Sequence, residues 1–187
     1  EAHTHLTADI QLPKLDAERF MDLYPLLPYQ VDFIIQVVSG LRMQGGTTRH
    51  VGGANRTIIK LAQQLLINPA VRLADKEVGL LATAVHIYDL VEGNIASEIR
   101  GRITDIRKKV PHEFAQPVAK AVCLLQFVKS IHRSPENIAA ALYSAVGADS
   151  QMTEAREALE ALVKARLVRL GDDGYRIPTP AEDDWER

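Results

Sequence analysis

The sequence predicts a mainly α chain that ends in one small β-hairpin. Three observations carry this. Apolar residues recur at three- and four-residue steps over most of the 187 positions. Pro and Gly interrupt those runs at helix-sized intervals. Only residues 167–177 show two alternating runs, placed around an Asp-Gly turn.

Residues 1–15 have no clear period and carry a Pro, so they read as a solvated lead-in with room for one short strand. His3 and His5 are two apart, and no third metal ligand accompanies them. Residues 16–23 form a short helix with Phe20 and Leu23 inward, ended by Tyr24-Pro25. Pro28 suits a first helical turn. From it Val31, Ile34, Ile35, Val38 and Leu41 mark an amphipathic helix over 29–43, stopped by Gly45-Gly46. Residues 45–55 hold four glycines and read as a loop, with Asn55 as N-cap of a helix over 56–67 whose buried face is Ile58, Ile59, Ala62, Leu65 and Leu66.

Residues 76–91 are apolar on most sides and predict a central helix, broken at Gly93-Asn94. Ile95, Ile99, Ile103 and Ile106 line a helix over 95–110 with a basic outer face at Arg100, Arg102, Arg107, Lys108 and Lys109. Pro111 marks a module boundary. Beyond it, 114–131 is helical, and Ser134-Pro135-Glu136 starts a helix that runs toward Gly147. A further helix covers 153–166, and the hairpin follows. That order is the order of a winged helix. The organisation is thus a helical bundle over 1–111 with a basic Gly-rich loop, a winged-helix module over 112–180, and a charged exit over 181–187.

Composition excludes several classes. Lys and Arg total 22 and Asp and Glu 24, so the net charge of −2 gives no overall attraction to polyanions. The single Cys123 rules out a disulfide framework and a Cys-based zinc site, and reads as a buried apolar residue. No apolar run reaches the ~20 residues of a membrane span. No secretory signal opens the chain. A cytoplasmic chain with no membrane partner is expected. The absence of an initiator Met and the charged ending Asp183-Asp184-Trp185-Glu186-Arg187 read as a piece of something larger. There is no Walker A motif, since neither Gly45-Gly46 nor Gly52-Gly53 is followed by Lys-Ser or Lys-Thr. No H-E-x-x-H or G-x-S-x-G occurs, and His86 reads as a core histidine. Catalytic and metal-binding residues are therefore expected to be none.

One charge pattern stands out. No Asp or Glu lies between Asp32 and Asp75, while Arg42, Arg49, Arg56, Lys60 and Arg72 lie within, with His50 beside them. Arg56 at a helix N-terminus would be disfavoured unless an anion sat there. Arg49, His50, Asn55, Arg56 and Lys60 are the candidate phosphate-binding residues. The other reading is a solvated or salt-bridged basic surface, and that reading is favoured for the outer face of 95–110. Residues 113–187 hold nine basic and twelve acidic residues, and the wing tip is Asp172-Asp173. Phosphate contacts supply most non-specific DNA affinity, so this balance disfavours direct DNA reading. Arg156, Lys164, Arg169 and Arg176 are the residues that would carry it.

The segment Tyr24-Pro25-Leu26-Leu27-Pro28-Tyr29-Gln30, then Gly45-Gly46-Thr47-Thr48-Arg49-His50, then Gly53-Ala54-Asn55-Arg56-Thr57 resembles the large P-loop ATPases of BREX-type phage-defence systems, the BrxC and PglY group. Ala54-Asn55 stands where much of that family has an acidic residue. The ending Gly174-Tyr175-Arg176-Ile177-Pro178-Thr179, with Glu182 and Trp185 after it, resembles the family's exit from a winged-helix module. The resemblance implies that Walker motifs, ATP and magnesium belong to a parent protein, N-terminal to Glu1. It implies an AAA+ lid-like bundle with an appended winged helix, and Arg49 or Arg56 as a sensor- or finger-type arginine. Its partners would be the rest of the parent ATPase, other defence proteins and possibly DNA. The alternative is a stand-alone winged-helix regulator that binds duplex DNA through 153–166.

Overall fold

Eleven consecutive residues, Ala115–Leu125 (α6), supply the helix round which the others gather, and eight of them are buried. The computed structural model describes residues 2–44, 52–179 and 182, with the backbone alone for 52–56. Before α6 come Ala17–Leu23 (α1), Pro28–Gln44 (α2), Gly52–Ile67 (α3), Ala84–Val91 (α4) and Ser97–Lys109 (α5). After it come Pro135–Ala141 (α7), Met152–Lys164 (α8) and the strands Arg169–Gly171 (β1) and Gly174–Arg176 (β2). The chain is mainly helical with one antiparallel two-stranded sheet, in which Leu170 pairs with Tyr175.

α6 packs against α4 and α5 on one side of Pro111 and against α7 and α8 on the other. One apolar cluster therefore runs from Leu6 to Ile177. Burying large side chains such as Ile34, Leu124, Ile138 and Leu162 in it supplies about 1.5–3 kcal/mol each. Cys123 lies in this core, as expected, and burial pushes its thiol up to about 12.

Local chemistry sets the helix ends. Asp16 caps α1 by accepting from the Arg19 amide at 2.9 Å. Pro28 opens α2, where its missing N–H costs nothing. Ser134 accepts from the Asn137 amide and Pro135 follows, which starts α7 as its residues predict.

Five sequence expectations on the fold need correction. The helix expected over 76–91 begins only at Ala84. Gly79 sits at φ +108°, and Leu80 bridges Ala145 instead of continuing a helix. The helix expected to end near Ile131 stops at Leu125, because Ile131 is drawn into a bridge with Ala8. The helix toward Gly147 stops at Ala141, since Ala145 is the partner of Leu80. The lead-in is not merely solvated: Leu6 is buried, and the Asp9 amide donates to the Ser130 carbonyl at 2.8 Å. Finally, α3 starts at Gly52, so Asn55 is a helical residue rather than an N-cap. Each added helical residue gains a backbone bond, and nothing in Gly52-Gly53-Ala54 prevents it.

The hairpin is joined by a third stretch. Arg133 bridges Gly174, and the Tyr175 amide donates to the Arg133 carbonyl at 3.0 Å. A Cβ at Gly174 would lie 2.5 Å from that carbonyl oxygen, and its φ is +94°, so the close approach requires glycine.

A candidate anion-docking surface between two helices

The acid-free stretch between Asp32 and Asp75 folds largely into α2 and α3, which pack together. Their apolar faces go to the core: Ile34, Val37, Val38 and Leu41 from α2, Leu65 from α3. Arg42 and Lys60 are left at the rim. A groove of about 340 Å³ opens there, floored by Val38, Leu41, Leu61, Leu90 and Val91. Its polar lining is Arg42, Thr57, Lys60, Gln64, Asn68 and Asn94, with no carboxylate among these residues.

Arg42 is half-buried, and its guanidinium donates to Thr57 Oγ1 at 2.6 Å. That bond orients a planar group with five donors and leaves donors to spare. Lys60 is exposed and forms no ion pair among the described residues. Asn68 Nδ2 donates to Gln64 Oε1 at 2.9 Å, which fixes the far end of the groove. Among the described side chains of the acid-free stretch, only Arg72 meets a carboxylate. Its partner is Asp75, 2.9 Å away, with both side chains more than half exposed.

The other phosphate candidates divide. Arg49 and His50 lie outside the described residues. Asn55 and Arg56 lie within α3, so Arg56 is its fifth residue. The expectation that Arg56 opposes a helix N-terminus is corrected, because that effect fades within the first turn. Lys60 is thus the predicted candidate whose side chain the structure puts at the groove. Arg42 joins it, and sequence reasoning noted its charge without naming it as a binding residue. The signal was available, since Arg42 shares the acid-free window.

The residues suggested for DNA contact are partly committed elsewhere. Arg156 Nη2 lies 2.6 Å from Glu136 Oε1, which ties α8 to α7. Arg176 pairs with Glu182, and its hydrogen bond is the main cause that holds the Glu182 carboxyl down to about 2. Arg169 also has a partner, and Lys164 is exposed. The turn between the strands presents Asp172 and Asp173 to solvent. The basic end of α5 has a simple structural account: Arg107, Lys108 and Lys109 fill its last turn, where cations complement the helix dipole.

His86 is neither a plain core residue nor a ligand. Its Nδ1 accepts from the Thr83 amide at 3.0 Å and closes the first turn of α4. Burial, the larger effect, pushes its pKa below the ordinary value, while nearby Asp89 opposes that shift. No group of three His, Cys, Asp or Glu side chains suited to a metal occurs among the described residues. No helix among them is long and apolar enough to cross a membrane. No protein-family model matches the chain, and no solved structure matches it.

Proposed function

We propose that this chain is an accessory region of a large BREX-like P-loop ATPase, acting in phage defence in the cytoplasm. In this reading 1–111 is a lid-like bundle that receives negative groups from the rest of the ATPase. Residues 112–180 are a winged-helix module that relays nucleotide-driven change to partner proteins or DNA. The sequence resemblance supplies the family. The observation that carries the site is the carboxylate-free groove, where Arg42 and Lys60 face anions that this chain's described residues do not supply.

Arg49, His50, Asn55, Arg56 and Lys60, all from the acid-free stretch, are assigned to phosphate. ATP and magnesium themselves do not fit this chain's own residues. It has no Walker A glycine-lysine pattern to cradle phosphates. The parent's Walker motifs would hold them, and the chain's arginines would only complement the charge. The winged-helix reading is supported by the order of α6, the bridged stretch at Arg133, α7, α8 and the hairpin.

The second reading, a stand-alone DNA-binding regulator, is weakened by the Arg156–Glu136 and Arg176–Glu182 pairs and by the acidic turn. A gel shift of this chain on random duplex DNA over a salt series separates the two. The ATPase reading expects weak or absent binding. Tight binding that is abolished by Arg156→Glu with Lys164→Glu would establish the regulator instead.

A further inference from the structure

We infer that the outer face of α3 docks an amphipathic helix of a partner protein whose polar edge carries carboxylates. This inference stands apart from the ATPase reading and needs no nucleotide.

α3 has two apolar faces. Leu65 is buried, and Ile58, Leu61 and Ala62 pack against the core. On the other side, Ile59 is 71% exposed, Leu66 37% and Ile67 56%. Ile59, Gln63, Leu66 and Ile67 follow the i, i+4, i+7, i+8 spacing that places residues on one helix face. A single exposed apolar residue needs no explanation, but a stripe of three on one helix marks a contact surface. At ~1.5 Å per residue the stripe is about 12 Å long, enough for two to three turns of a partner helix.

The charge beside the stripe names the partner's polar edge. At about 100° per residue, Lys60 and Gln64 occupy the adjoining strip of α3, between the stripe and the groove. The groove then presents Arg42 over an apolar floor. No acidic residue occurs from 33 to 74 and no carboxylate lines the groove, so the charge bordering the stripe is basic and selects an acidic partner. A helix with leucines toward Ile59 and Ile67 and glutamates toward Lys60 and Arg42 satisfies both features. This is helix-in-groove recognition with electrostatic selection of the partner. A free phosphate would use the cations but leave the stripe uncovered.

Two synthetic peptides of about 18 residues, long enough to be helical, test this. They share one leucine stripe and differ only in flanking residues, all Glu or all Lys. Each is titrated into the ¹⁵N-labelled 187-residue chain. The Glu peptide is expected to shift α3 and the end of α2, and to bind at least about tenfold more tightly than the Lys peptide. Ile59→Ser with Ile67→Ser, and separately Arg42→Gln with Lys60→Glu, should each weaken it by about tenfold or more. Unchanged melting of the Ile59→Ser, Ile67→Ser chain shows that fold loss is not the cause. The inference is overturned if neither peptide binds, if both bind equally, or if the shifts lie on another face. It is also overturned if inorganic phosphate or ATP moves these amides and the Glu peptide does not.

Discussion

The ammonium of Lys120 on α6 lies 2.5 Å from the Asp89 carboxylate on α4, with both side chains largely buried. The same ammonium stands 5.2 Å from the centre of the Tyr88 ring. The pair fastens the central helix to the helix it packs against most. Its ions have already lost much of their hydration, so each depends on the other. Lys120→Met should cost about 2–3 kcal/mol, because it strands Asp89 in a partly dry site. Lys120→Met combined with Asp89→Leu should recover most of that loss. Urea unfolding of the single and double variants checks both.

His86 should make stability depend on pH. Its folded pKa lies below the ordinary 6.5, so the folded protein favours the neutral ring. The stability it contributes is full above 6.5 and is lost as pH falls below it. Protonation at Nδ1 would also break the bond from the Thr83 amide. His86→Gln keeps an acceptor at the same helix position and does not titrate. Between about pH 7.5 and pH 5, either side of the ordinary imidazole value, the wild type should lose more unfolding free energy than His86→Gln. Equal slopes for the two would show that His86 is not the titrating group.

Helix α8 ends on a residue ill suited to its backbone. The Leu167 amide donates to the Leu162 carbonyl and the Arg166 amide to that of Val163, which is a Schellman ending. Arg166 therefore sits at φ +56°, where glycine is the usual occupant. Arg166→Gly should raise stability by about 0.5–1 kcal/mol, read as a higher urea midpoint with an unchanged slope. A fall in midpoint would mean that the Arg166 side chain contributes more than its backbone strain costs.

Asn137 ties the start of the chain to α7. Fully buried, it accepts from the Thr7 amide at 2.8 Å and donates to the Thr7 and His132 carbonyls at 2.7 and 2.8 Å. Asn137→Leu removes the partner of the Thr7 amide and of the His132 carbonyl, and leaves the Thr7 carbonyl only the His132 amide at 3.4 Å. It should cost about 3 kcal/mol and speed hydrogen exchange at Thr7 and Asp9. Fast exchange at those amides in the wild type would remove the basis of this prediction.

The elements that were legible in the sequence are those with local signals. α2 and α5 announce themselves by their apolar spacing, α7 by Ser134-Pro135, and the hairpin by its Asp-Gly turn. The misjudged boundaries near 84, 125 and 141 share one cause, which is pairing between distant segments. Leu80 with Ala145 and Ala8 with Ile131 each remove residues from runs that look helical by period alone. Neither pairing leaves a trace within a short window. For the candidate site, the absence of acids from 33 to 74 was plain in the sequence, and so was the charge of Lys60. That Arg42 would meet Thr57 across two helices depends on how α2 and α3 turn against each other. The sequence puts Ile59 and Leu66 on the buried face of α3, and the structure corrects this by leaving both exposed, since a helix with apolar residues on two faces does not say which face is covered.

The central claim is that the cations of the acid-free stretch serve negative groups from beyond this chain. It is tested most directly by steady-state ATP hydrolysis of the full-length protein proposed above, carrying Arg49→Ala, Arg56→Ala, or both, with Lys164→Ala as a surface control. The account predicts a fall in kcat of about tenfold or more for the arginine variants, since finger-type arginines contribute up to ~10⁵-fold in ATPases and GTPases, and no change for the control. Hydrolysis at the wild-type rate in the double arginine variant would contradict it.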